Sequence, residues 1–179
     1  MRQRPPSPDQ IERGVQYVFQ LSQDACYSGA IHAEPGTWAV RWYFRTEPCR
    51  SPVSPLNLFR RPDFVLRDVE EREVLRIRRT TRFPPCFNMI ENGAVVGTVR
   101  LRSILLNKYE IVLNAGPTWT FRMPLFTIHF HGESSSNSRV WVYVGPSKMR
   151  WTLLAESGTD DVRLLAGLAF IHHEWWCYS

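Results

Sequence analysis

From Gly14 onward the chain alternates apolar and polar positions with a period of two, in short runs broken by turn residues, and this predicts strands. Twelve runs fit: 14–21, 27–33, 37–44, 63–68, 72–80, 85–91, 94–103, 108–114, 117–123, 125–131, 138–144 and 148–155. In 72–80, Leu75 and Ile77 fall on one side while Arg76 and Arg78 fall on the other. In 94–103, Val95, Val99 and Leu101 oppose Thr98, Arg100 and Arg102. In 138–144, Val140, Val142 and Val144 oppose Trp141 and Tyr143. One apolar and one mixed face is the pattern of an antiparallel sheet with a core on one side.

The breakers agree with this division. Asn92-Gly93 is the strongest short hairpin signal. Glu34-Pro35-Gly36, Asn114-Ala115-Gly116-Pro117 and Gly145-Pro146 are turn chemistry, and 132–137 reads as a flexible polar loop. The proline-rich stretch 45–62 is the longest irregular connector, and residues 1–10 read as a loose N-terminal tail. The 44 residues ahead of the connector are short for a separate domain, so residues 11–179 are read as one domain.

The last segment breaks the period. DDVRLLAGLAFIHHEWW, about residues 160–176, has a helical pattern whose apolar residues fall on every side, and such a helix must be enclosed by protein or by lipid. Thr159 or Asp160 is placed to cap it, with Asp160 and Asp161 suited to the positive end of the helix dipole. Its uninterrupted apolar run, Leu164–Ile171, is eight residues, against roughly 20 for a bilayer span. Protein is therefore the expected enclosure. Twelve short strands leave exposed edges unless the sheet closes. A barrel of that size is too wide for strand side chains alone to fill. The expected fold is mainly β: a closed antiparallel barrel of about twelve strands around a hydrophobic C-terminal α-helix.

Composition changes this picture little. With 44% hydrophobic and 13% aromatic residues the chain is globular. The net charge of +5 rests on arginine, since Lys108 and Lys148 are the only lysines. This permits an anionic partner, membrane surface or nucleic acid, without selecting one. Four cysteines, Cys26, Cys49, Cys86 and Cys177, form no close pair, and no secretory leader pattern opens the sequence. A reducing, cytoplasmic setting is expected.

Specific segments carry a family resemblance. DFVLRDVEEREVLRIRR (63–79) resembles the repeated element of the phospholipid scramblase and LURP-one-related branch of the tubby C-terminal-like superfamily. VVGTVRLRSILLNKYEI (95–111) resembles the next element, and the C-terminal DDVRLLAGLAFIHHEWW resembles the scramblase ending. The likeness covers about 63–179. Only Pro84-Pro85-Cys86 stands near the place of the scramblase cysteine cluster, and no calcium-binding acidic segment precedes the helix beyond Asp160-Asp161. The resemblance implies a tubby-like barrel with a central helix and basic strand residues that bind phospholipid head groups.

Candidate chemistry is sparse. Arg76 and Arg78 share one strand face, and Arg100 and Arg102 share another. If the two strands are neighbours, the four arginines form an exterior basic patch, with Arg79 and Arg82 at its rim, suited to phosphate. The competing reading pairs them with Glu70, Glu71, Glu73 or Glu110. His129 and His131 project to one side of a strand, but only Glu133 is near, and a metal site needs three or four ligands. His172 and His173 diverge on their helix. Cys86 lacks an assigned histidine base. Trp119, Trp141 and Trp151 fit strand packing. With no hydrolase, zincin or P-loop motif, the expected function is a non-enzymatic module without metal or cofactor. It binds anionic, phosphoinositide-like lipid head groups or a protein partner, peripherally at the inner membrane surface. The alternatives are scramblase-type lipid translocation and a nucleic-acid-binding, transcription-related module.

Overall fold

The computed structural model describes residues 15–22, 27–33, 39–48, 62–82, 84–103, 107–122, 129–144, 150–155 and 161–178. The proposed tail 1–10 lies outside them. Among the described residues there are twelve strands and one helix: β1 (Val15–Leu21), β2 (Ser28–Ala33), β3 (Val40–Glu47), β4 (Asp63–Asp68), β5 (Glu73–Thr81), β6 (Cys86–Glu91), β7 (Ala94–Ser103), β8 (Lys108–Leu113), β9 (Thr118–Arg122), β10 (His129–Ser134), β11 (Arg139–Val144), β12 (Arg150–Ala155) and α1 (Val162–Tyr178). Each strand runs antiparallel to its sequence neighbours. β1 pairs with both β2 and β12, so the meander closes on itself as a barrel.

Alternation does the sorting. Phe64 and Leu66 of β4, Leu75 and Ile77 of β5, Ile111 of β8 and Phe121 of β9 point inward and are at most 1% exposed. The lumen is filled by α1. Leu164 to Glu174 are buried without interruption, and eleven consecutive residues are three helical turns, so the helix is covered on all its faces. Gly167 lies where an added Cβ would come within 2.6 Å of Ile111 Cδ1, which lets the helix pass close to β8. Phe170 meets Phe87 and Phe64 at ring separations of 4.6 and 5.8 Å.

Four details depart from the sequence reading. Asp161 caps the helix: its Oδ1 accepts the Arg163 backbone N–H at 2.9 Å, and its side chain also takes the Arg163 guanidinium at 2.9 and 2.7 Å. Thr159 and Asp160 lie outside the described residues. β3 extends to Glu47, because Arg45 and Glu47 pair in register with Val65 and Asp63 of β4; the connector residues 49–61 lie outside the described residues. β10 runs to Ser134, so the stretch 132–137 read as a loop is half strand. Its turn is tied down by Ser134 Oγ, which accepts from the backbone N–H of Ser136 and Ser138 at 3.2 and 2.9 Å. Val95 is 45% exposed, because a bulge shifts the register between Met89↔Gly97 and Ile90↔Val95 and turns the start of β7 over.

The β6–β7 connection follows its sequence signal. Glu91 and Ala94 are paired across a two-residue loop, and Asn92 and Gly93 both have positive φ, 49° and 79°, the conformation that Asn-Gly supplies in a hairpin turn.

Candidate functional site

The four candidate arginines all point outward, but β6 stands between β5 and β7, so they form two separate faces. Arg76 is level with Ile90 of β6, whereas Arg100 is level with Cys86 at the other end of that strand.

On the β3–β5 face the arginines are compensated. Arg76 donates to Glu73 Oε1 and Oε2 at 2.9 and 2.6 Å and to Asp63 Oδ2 at 3.0 Å. Arg78 donates to Asp63 Oδ2 at 2.7 Å. Glu47 Oε1 accepts from Arg45 Nε at 2.8 Å and from an Arg67 terminal nitrogen at 2.9 Å. Val65 faces outward between Arg45 and Arg76 yet is 0% exposed, as expected when arginine stems lie over an apolar residue. Hydrogen bonds from Arg76 outweigh partial burial and hold the Glu73 carboxyl below its ordinary value. At Glu47 burial pulls upward, but the bonds from Arg67 and Arg45 win and the carboxyl is again lowered. Arg76 and Arg78 are in turn raised, chiefly by Glu73 and Asp63 respectively. This face is an ion-pair lattice, and it corresponds to the pairing alternative for Arg76.

The face formed by β7–β10 differs. Arg102 Nε donates to Glu110 Oε2 at 2.6 Å, again a cross-strand pair. Arg100, Lys108 and Arg122 make no ion pair among the described residues. Lys108 opposes Arg122, and Arg122 opposes His131, across successive strands. Two cationic side chains held opposite each other repel. The face as a whole holds four cations around Glu110, while Glu133 is shared by Arg139 and His131 at 3.6 and 3.9 Å. The His131 ring lies 5.1 Å from that of Trp141 on β11, so an amphipathic aromatic borders the row.

Lys108 and Arg122 were not singled out in the sequence because each is a single cation on its own strand. The signal is present in the alternation, since both occupy the polar side of their strands, but only register places them side by side.

The other candidates resolve as follows. His172 and His173 are core residues, 0% and 3% exposed. The Tyr27 phenol hydrogen-bonds with His172 Nδ1 at 2.7 Å, and the Tyr27 ring meets that of His173 at 4.6 Å. Among the described residues no group of three or more histidines, cysteines and carboxylates is placed to hold a metal ion. The side chains of His129 and Trp151 lie outside the description. Cys86 is half-buried beside Arg100 on β7. Trp119 packs inward, 2% exposed. No helix among the described residues is long and apolar enough to cross a membrane. Protein-family models, curated proteins and solved structures contain no match to the chain.

Proposed function

We propose that the chain is a tubby-like, non-enzymatic barrel module that docks on anionic phospholipid head groups at the inner membrane surface through the outer face of β7–β10. The observation that carries this reading is the row Arg100, Lys108 and Arg122, three cations with no ion pair among the described residues, beside the Glu110-paired Arg102. Neighbouring strands are about 4.8 Å apart, so β7, β8 and β9 present the charges over roughly 10 Å, a span suited to lipid phosphates at a surface. The packed lumen favours an exterior ligand, since α1 and the inward side chains fill it. Trp141 supplies an interfacial aromatic at the border of the row. Relative to the sequence reading, Arg100 and Arg102 keep their proposed role and gain Lys108 and Arg122, while Arg76 and Arg78 serve the ion-pair lattice.

Co-sedimentation with phosphatidylcholine vesicles, with and without phosphatidylserine or a phosphoinositide, tests the reading. Each basic residue near an anionic surface contributes about 1 kcal/mol. Arg100→Ala/Lys108→Ala/Arg122→Ala is therefore expected to weaken vesicle binding about 100-fold, whereas Arg78→Gln changes it less than about threefold, its charge being already matched by Asp63. Equal binding by the triple variant and wild type overturns the proposal, as does a preference for duplex DNA over anionic vesicles at the same salt concentration. Fast transbilayer lipid movement in the same vesicles would replace it with the scramblase reading.

A further inference from the structure

A groove of about 750 Å³ crosses the outer face of β1–β4, away from the β7–β10 face. Its origin is a difference in side-chain size. The outward positions of β2 at its floor are Ser28 and Ala30, flanked in register by Gln20 on β1 and by Tyr43 and Arg45 on β3, with Arg67 of β4 beyond Tyr43. Two short side chains between long ones leave a trough, and its volume lies in the range of about 300–1,000 Å³ typical of small-molecule sites.

The wall chemistry is specific. Tyr43 is 45% exposed, a large apolar ring left open to solvent over the trough. Arg45 is tied to Glu47 through Nε alone, so both its terminal nitrogens are uncommitted among the described residues, in the fork that takes an oxyanion with two parallel bonds. Arg67 donates one terminal nitrogen to the Glu71 carbonyl at 2.9 Å and the other to Glu47 at 2.9 Å. That fixes its guanidinium, while its Nε is buried with no acceptor. The fixed Arg67 guanidinium places a second positive charge at the groove wall. Ser28 adds a polar group at the floor, Gln20 and His32 line the groove as well, and Glu71 lies at the Arg67 side.

We infer that this groove binds a small ligand in which a flat ring carries an oxyanion: the ring lies on Tyr43, and the oxyanion takes the terminal nitrogens of Arg45 beside Arg67. Nucleoside monophosphates and aromatic carboxylates both have this chemistry. The site is separate from the β7–β10 face and does not depend on the lipid reading.

Isothermal titration of the full chain with AMP and with indole-3-carboxylate, alongside adenosine and inorganic phosphate, tests the inference. Saturable binding of AMP, of indole-3-carboxylate or of both is expected, at least tenfold tighter than binding of adenosine or phosphate alone; which of the two binds more tightly identifies the source of the ring. Tyr43→Ala and Arg45→Ala are each expected to weaken binding tenfold or more. Tyr43→Phe should preserve it, and Arg45→Lys, which keeps the charge and removes the fork, should not. Lys108→Ala should leave ring-anion binding unchanged, and Arg45→Lys should leave vesicle binding unchanged. Absence of saturation with both ligands overturns the inference. So does binding of phosphate alone as tightly as AMP, or wild-type binding by Arg45→Lys.

Discussion

Gly132 faces the barrel interior directly opposite Phe121, and a Cβ built there overlaps the Phe121 ring. The ring lies over the glycine, so β9 and β10 pack as one small and one large residue across the pair. Phe121 is fully buried, and protein interiors are close-packed. Gly132→Ala is therefore expected to destabilise the fold by about 1–3 kcal/mol, the usual cost of overpacking, measured by urea denaturation. An unchanged midpoint would show that the ring can yield. On sequence alone Gly132 stands at the start of a polar loop, whereas pairing with β9 and contact with Phe121 make it a required strand residue. Val95 gives the converse lesson: strict alternation assigns it to the core, and one bulge turns it out to 45% exposure.

At the scale of the element, α1 was legible and the sheet almost so. A helix apolar on every side has to be enclosed, and residues 164–174 are buried without a break. The strand runs were also legible, because each half-buried strand repeats with period two. The two boundaries that moved most, those of β3 and β10, lie where strands continue into polar sequence. Arg45-Thr46-Glu47 and Gly132-Glu133-Ser134 are strand because a partner strand is hydrogen-bonded beside them, not because of their own propensity. The helix is the common core against which Phe64, Phe87 and Ile111 pack. Deleting the residues after Gly158 is therefore expected to abolish cooperative thermal unfolding and near-ultraviolet circular dichroism. A truncated chain that melts cooperatively would mean that the barrel is stable without its centre.

For the whole molecule, the ion-pair lattice ties the consecutive strands β3, β4 and β5 together and makes stability depend on pH. Glu47 and Glu73 are held below their ordinary carboxyl values by arginine, so the folded state binds fewer protons than the unfolded state between the two values. Their contribution is complete above about pH 4.3, the ordinary glutamate value, and is lost as pH falls below it. Both groups are partly solvated, so the contribution of each is modest. Melting temperature is expected to fall between about pH 5 and pH 3, and Glu47→Gln should flatten that slope because it removes one linked proton. An identical slope in the variant would assign the acid sensitivity to other carboxyls.

By itself the sequence determined the kind of elements and their faces. Period two, turn residues and an all-round apolar helix are local properties, and hydrophobic burial acts on them in the same way wherever the strands finally sit. Tertiary structure decided adjacency. With β6 interposed, Arg76 and Arg78 fall among Glu47, Asp63 and Glu73. Arg100 and Arg102 instead share a face with Lys108 and Arg122. A charge's surroundings depend on which strands lie beside its own and in what register, and the same register places Ser28 and Ala30 between the longer side chains that form the groove. Charge compensation and cavity shape are properties of several strands together, and no single strand's pattern carries them.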